Sequence, residues 1–205
     1  MELNAMKERE AICDVCHKMW QGGIVAANDG NVSVKLEDGT FLCTPSGVSK
    51  AAMTPEILVH LAADGSVISA AEGYKPSSEM KMHFRCYAER EDVKAVVHAH
   101  PPIATSYASM GRALDGYQAM EFIVNLGAVP IAPYAQPSTD EVPDSIAPFL
   151  QDHDAILLAH HGALTVGDSL TRAYFRMESL EMFAKTSLYI HLLGGAPDMP
   201  QDKID

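Results

Sequence analysis

The chain has 205 residues, 47% of them hydrophobic and 20% charged, enough apolar surface for one sizeable core and too much for a disordered or low-complexity protein. Its 27 acidic side chains outnumber 15 basic ones, for a formal net charge of −12, and a surface of that sign repels nucleic acid and anionic lipid, so neither is expected as a partner. No apolar run approaches the roughly 20 residues of a membrane-spanning helix, the opening residues Met1-Glu2-Leu3-Asn4-Ala5-Met6-Lys7 are unlike a signal peptide, and Cys13, Cys16, Cys43 and Cys86 are too sparse for a disulfide framework; the expected location is the cytoplasm.

The first predicted element is an amphipathic helix over residues 7–21, stopped by Gly22-Gly23. Inside it, Cys13-Asp14-Val15-Cys16-His17 matches the spacing used for covalent haem attachment. Cys13, Cys16 and Trp20 also recur every three to four residues, as core positions do, and the core reading is preferred. Residues 31–36 alternate as a strand and turn at Glu37-Asp38-Gly39 into a strand over 40–44. A second hairpin joins 57–61 to 66–69 around Ala63-Asp64-Gly65. Such hairpins make antiparallel pairs, which a purely parallel doubly wound sheet lacks.

Pro76-Ser77-Ser78 opens a helix that runs to about residue 89, with hydroxyls placed to cap it and Glu79 in its first turn. The apolar run 93–97 reads as a strand ending in His98-Ala99-His100-Pro101-Pro102. A helix over 104–110, a short strand near 129–133 and a helix over about 140–150 follow. Ile156-Leu157-Leu158-Ala159-His160-His161-Gly162 reads as one more strand, leading to Leu164-Thr165-Val166-Gly167. Asp168-Ser169 then starts a long helix ending at Gly194-Gly195. With no repeat or linker, the expectation is a single domain over residues 1–205: an α/β fold with a largely antiparallel sheet flanked by helices.

Alternate residues of a strand share a face, so His98 and His100 project together and can grip one metal ion. A third imidazole comes from His160 or His161. Neighbouring strand residues face opposite ways, so one of the two reaches the metal, and periodicity does not say which. Three histidines with an open position form the ligand set of a catalytic zinc site, whereas structural zinc sites are usually closed by cysteines. Glu79 at a helix start complements the helix dipole. The free N–H groups there, with the Ser77 and Ser78 hydroxyls, form an anion site that would fix a phosphate beside Glu79. Asp29-Gly30-Asn31-Val32-Ser33 permits close backbone approach to a ligand, and Thr44-Pro45-Ser46-Gly47 has the composition of an anion-binding turn. His83, one turn after Glu79, reads as a hydrogen-bonded structural histidine, and His17, His60, His153 and His191 as incidental.

Gly30-Asn31-Val32-Ser33, Thr44-Pro45-Ser46-Gly47, Lys75-Pro76-Ser77-Ser78-Glu79, His98-Ala99-His100-Pro101 and His161-Gly162 stand in the order found in one family. From its first helix into its last, the chain resembles the class II aldolase and adducin-head family, most closely its L-fuculose-phosphate aldolases. The resemblance implies His98, His100 and His161 as ligands of one Zn²⁺ per subunit, or of another divalent metal. It makes Glu79 the acid–base residue and a further ligand of the resting site, and Asn31, Ser46, Gly47, Ser77 and Ser78 the phosphate-binding positions. It also implies a three-layer domain with helices on both sides of the sheet, and a homotetramer with active sites at subunit boundaries.

The implied reaction is reversible cleavage of a ketose 1-phosphate to dihydroxyacetone phosphate and a small aldehyde such as lactaldehyde, without a Schiff-base lysine. Two departures concern the aldehyde half. Phe122 falls about where the family carries a mid-chain tyrosine, leaving Tyr117, Tyr134 or Glu121 as substitutes, and no aromatic residue after Gly194-Gly195 matches the family's tail tyrosine. The same site suits a methylthioribulose-phosphate dehydratase, with Glu121 as an extra acid–base group, or a sugar-acid phosphate decarboxylase. Residues 113–127 lack the histidine–alanine–aspartate segment of the family's epimerases. A non-catalytic adducin-like interaction module has no use for three metal histidines together with Glu79.

Overall fold

The computed structural model describes residues 5–204, so the polar opening residues before Ala5 lie outside the described residues. In chain order the elements are α1 (Met6–Gln21), β1 (Asn31–Lys35), β2 (Phe41–Cys43), β3 (Val59–Leu61), β4 (Val67–Ser69), α2 (Met80–Glu89), β5 (Ala95–Ala99), α3 (Pro102–Ser109), α4 (Met120–Asn125), β6 (Ile131–Ala132), α5 (Glu141–Ile146), β7 (Ala155–Leu158), β8 (Gly162–Gly167) and α6 (Leu170–Leu192). The strands form one mixed sheet in the order β4-β3-β2-β1-β5-β8-β7-β6. Every pairing is antiparallel except that of β6 with β7.

Strand alternation builds a core on each face. Ala95, Val97 and Ala99 of β5 join α1, α3 and α6 on one side. Val96, one residue out of step, joins Met82, Cys86 and Tyr87 of α2 and Ile146 of α5 on the other. This is the expected arrangement of helices on both sides of a largely antiparallel sheet. His98 shares the face of Val96, so the central strand aims its imidazole toward α2.

Four details differ from the sequence-based expectations. Cys13 and Cys16 are buried on α1 as expected, but Trp20 is 49% exposed: it sits on the last turn, where Met19 carries on the buried stripe and the chain reverses at Gly22. Residues 156–162 are not one strand. β7 stops at Leu158, and Ala159-His160-His161 form a tight turn into β8, with the His161 N–H donating to the Leu158 carbonyl. His160 takes a left-handed φ of 57° there, which strand periodicity does not anticipate. The helix expected over 140–150 is α-helical only to Ile146 and continues as a 3₁₀ turn over Ala147–Phe149, because Pro148 has no N–H to extend the α ladder. Helix α4 forms in a stretch whose sequence carries no helix signal.

Candidate metal centre

His98 is fully buried at the end of β5, and His100 lies two residues on, just past the strand. His161 arrives from the β7–β8 turn. One nitrogen from each of the three lies within 4.8 Å of the others, and the ring centroids are 4.8–5.1 Å apart. The ambiguity between His160 and His161 is thereby resolved by a turn: His161 joins the cluster, while His160 instead meets the Tyr134 ring, 6.2 Å between centroids.

Glu79 completes the cluster. It is the N-cap residue of α2, not a first-turn residue as expected, and its side chain does not cap the helix. The carboxylate instead faces the sheet, Oε2 3.3 Å from His98 Nε2 and Oε1 3.2 Å from His161 Nε2. The expected capping by hydroxyls is limited to Ser77 Oγ, which accepts from the Glu79 N–H at 3.3 Å. Asn31 on β1 lies opposite His98 in the register, and its Nδ2 donates to Glu79 Oε2 at 2.9 Å.

These positions fit a shared divalent cation. His98 Nδ1–H donates to the Ala163 carbonyl at 2.9 Å, which leaves the Nε2 lone pair free and aimed at the cluster. His98 Nε2 and His100 Nε2 are 3.2 Å apart. Two donors each about 2.0–2.2 Å from one tetrahedral zinc lie about 3.3–3.6 Å apart, close to this separation and to both Glu79 contacts. Burial, followed by the neighbouring His98 and His161, lowers His100 to about 4, so it is neutral near pH 7, the form that binds metal. Burial works to raise the Glu79 carboxyl, but the facing His98 and His161 imidazoles outweigh it and hold the group ionised.

Two glycines make room for this geometry. A Cβ at Gly162 would stand 2.5 Å from His100 Cδ2 and 2.6 Å from the Ala99 carbonyl oxygen. At Gly30, where φ is +72°, a Cβ would stand 2.7 Å from the His98 carbonyl oxygen. Both are close-approach positions, and only glycine fits them without displacing a histidine or the strand that carries it.

A cleft of about 240 Å³ opens beside the cluster, and Asn31, Ser46, Gly47, Ser77, Ser78 and Glu79 line it. All five expected phosphate-binding residues therefore meet at one opening, next to His100 and His161. Sequence reasoning missed two further lining residues, Asn28 and Ser138; Asp29, which opens the segment expected to approach a ligand, also lines the cleft. Asp29 Oδ2 is 3.6 Å from His100 Nδ1. Ser138 holds a left-handed φ of 67° and its Oγ is 2.8 Å from Ser78 Oγ; a serine at such a φ is uncommon enough to mark a constrained loop. Larger cavities of about 340 and 590 Å³ run along α6, but none of the site residues lines them.

Tyr117, Tyr134 and Glu121 are absent from the residues lining the cleft. Tyr117 holds the carboxyl-terminal segment, its N–H donating to Asp198 Oδ1 and its carbonyl accepting from the Met199 N–H. Phe122 stacks on Phe183 at 4.7 Å, packed against the core. His83, expected to be structural, is fully buried and hydrogen-bonded to Ser33 and Asn31. His17, His60 and His153 bond to Met53, Thr40 and Ala128 respectively, away from the cluster.

Comparison with known proteins agrees with this geometry. The family model of the class II aldolase and adducin N-terminal domain matches residues 10–188. The 3-oxo-tetronate 4-phosphate decarboxylase of Escherichia coli strain K12 is 34% identical, covering 92% of this chain and 88% of that protein. The 5-deoxy-D-ribulose 1-phosphate aldolase of Bacillus thuringiensis serovar kurstaki is 33% identical, over 97% of this chain and 92% of that one. Among solved structures, the L-fuculose-1-phosphate aldolase of Thermus thermophilus superposes with a TM-score of 0.80 at 33% identity, over 93% of this chain and 98% of that one.

Proposed function

The chain belongs to the class II aldolase and adducin N-terminal domain family, whose members similar to it are metal-dependent lyases, and from this we propose that it cleaves the carbon–carbon bond between the α and β carbons of a ketone-bearing small sugar phosphate. The leading substrate is an L-fuculose 1-phosphate-like ketose 1-phosphate, split reversibly into dihydroxyacetone phosphate and a small aldehyde such as lactaldehyde. The observation that carries this reading is the cluster of His98, His100 and His161 with Glu79 3.2–3.3 Å from two of them, at the mouth of a hydroxyl-lined cleft.

In this reading His98, His100 and His161 hold one Zn²⁺ per subunit, with Glu79 as a further ligand of the resting site. When bound, the ion supplies Lewis-acid stabilisation of the negative charge that develops on the ketone oxygen. Asn31, Ser46, Gly47, Ser77 and Ser78 hold the phosphate through hydroxyl and N–H donors, which serve in place of a basic patch on a chain of net charge −12. Glu79, ionised at rest, takes a proton from the dihydroxyacetone phosphate carbon in condensation and returns it in cleavage. Residues 1–205 act as a single domain in the cytoplasm; no helix among the described residues is long and apolar enough to cross a membrane. The proton on the hydroxyl beside the departing aldehyde needs its own acceptor, and a homotetramer would supply it across a subunit boundary.

A second reading is favoured by Phe122. Its ring is stacked on Phe183 and carries no proton, whereas aldol cleavage requires an acceptor for that hydroxyl proton. Decarboxylation of 3-oxo-tetronate 4-phosphate, the activity named for the Escherichia coli relative, releases CO₂ and leaves an enediolate that takes up one proton at carbon. That proton comes from solvent by way of Glu79, which must pick it up before passing it to carbon, and no hydroxyl proton has to be accepted.

One assay separates the readings. The zinc-loaded protein is given a panel of ketose 1-phosphates and 3-oxo-tetronate 4-phosphate, with and without a chelator. Chelator-sensitive release of dihydroxyacetone phosphate together with an aldehyde supports the aldolase, and its release with CO₂ supports the decarboxylase. Full metal content with no product from any substrate refutes both.

A further inference from the structure

We propose that His83 is a positioning residue: a buried one-way chain of hydrogen bonds, Tyr87 to Ser33 to His83 to Asn31, fixes the Asn31 side chain with its NH₂ group toward Glu79 and the cleft. Tyr87 Oη and Ser33 Oγ are 2.7 Å apart, Ser33 Oγ and His83 Nδ1 2.7 Å, and His83 Nε2 and Asn31 Oδ1 2.5 Å. Asn31 Nδ2 then lies 2.9 Å from Glu79 Oε2 and 3.4 Å from Ser77 Oγ.

Every proton in this chain is assigned by its last acceptor. The Glu79 carboxylate only accepts, so Asn31 must present its N–H face there and its Oδ1 to His83. His83 must in turn donate from Nε2. It is fully buried and, lacking any carboxylate partner, neutral, so Nδ1 is bare and accepts from the Ser33 hydroxyl. Ser33 Oγ is left to accept from the Tyr87 hydroxyl. Reversing any one link would set two lone pairs against each other inside the core, where an unmade hydrogen bond costs about 1–3 kcal/mol.

An asparagine amide is nearly symmetrical in shape, and in isolation either orientation fits. His83 removes that freedom. Flipped, Asn31 would turn its carbonyl on Glu79 and withdraw a donor from the phosphate that the proposed function places in the cleft. The chain thus supplies the site with donor polarity from three residues behind Asn31, through groups that touch neither metal nor substrate.

The test does not depend on the identity of the substrate. Nitrogen-15 NMR of protein labelled at histidine should show His83 neutral with its proton on Nε2, and a proton on Nδ1 overturns the proposal. Ser33→Ala, which removes the donor to Nδ1, should shift His83 toward the other tautomer. It should also weaken binding of inorganic phosphate by about tenfold, the loss of one charge-assisted hydrogen bond, while metal content stays near wild type and Tm falls by the several degrees expected from two lost buried hydrogen bonds. His83→Gln, which keeps an amide donor for Asn31, should bind phosphate within about threefold of wild type, whereas His83→Leu should lose about 10–100-fold. If His83→Leu does not fold, Ser33→Ala decides alone. Wild-type phosphate affinity in folded, metal-loaded Ser33→Ala, or equal losses in His83→Gln and His83→Leu, overturns the proposal. A protein that binds phosphate as expected yet turns over no sugar phosphate sinks the proposed activity and leaves this inference standing.

Discussion

Glu79 stands between two imidazoles and an amide N–H, with burial opposing its charge and the histidines sustaining it. Glu79→Gln preserves the shape and removes the proton carrier. Turnover should fall by about 10²–10⁴-fold with metal content retained; steady-state kinetics beside metal analysis checks this, and unchanged turnover removes Glu79 from the chemistry. Gly162→Ala acts on the metal instead. Its Cβ would overlap the His100 ring and the Ala99 carbonyl, so the variant should bind zinc at least about tenfold more weakly, read by competition with a chelating dye. His83 gives a pH dependence. Burial, followed by the nearby His98, lowers it to about 3, against about 6.5 for a free histidine. Between those values the unfolded chain binds a proton that the folded chain does not, so stability falls as pH drops from about 6.5 toward 3. In urea titrations across that window, His83→Gln should show a shallower slope than wild type. Parallel slopes would refute the assignment.

At the level of elements, helix α3 begins immediately after His100 and Pro101, so whatever anchors its first turn also anchors a histidine of the proposed metal cluster. Glu181 on α6 does this: its carboxylate accepts from the Ile103 N–H at 3.0 Å and the Ala104 N–H at 2.9 Å. Glu181→Ala should cost about 1–2 kcal/mol in urea denaturation, with a loss of zinc affinity that a change on the outer face of α6 would not cause. The hairpins, α2, β5 and α6 were legible because alternation, a proline–serine start and an Asp-Ser cap are local signals, each written within a few residues. The Ala159-His160-His161 turn was not, since its apolar approach and β-branched flanks look like a continuous strand, and only the pairing of Leu158 with Gly162 shows where the chain reverses. Helix α4 was illegible for a similar reason. Its six residues are held by packing against α6, with Phe122 on Phe183, and not by a cap. The site divides the same way: ligands and hydroxyl loops were visible as motifs, whereas the pairing of Asp29 with His100, Ser138 and the role of His83 depend on contacts between segments far apart in sequence.

The whole molecule ties the metal centre to topology. Asn31, Glu79, His98 and His161 come from β1, the start of α2, β5 and the β7–β8 turn, and they meet only because β1 and β8 flank β5 in the sheet. A cation that binds the native arrangement alone stabilises it by about 2.7 kcal/mol at one hundred times its Kd. Adding zinc should therefore raise Tm, and a chelator should reverse the rise; a Tm indifferent to zinc would mean that the cluster does not bind it. Since all of these segments must already be in register before the ligands converge, the transition state for folding has little of the binding site to offer a cation. Zinc should then leave the refolding rate unchanged and slow unfolding by the full factor of the added stability. On those results the ion would act as a latch on the finished sheet: a molecule that had bound it would have passed inspection of its strand order, and one that had lost it would unfold on a shorter clock.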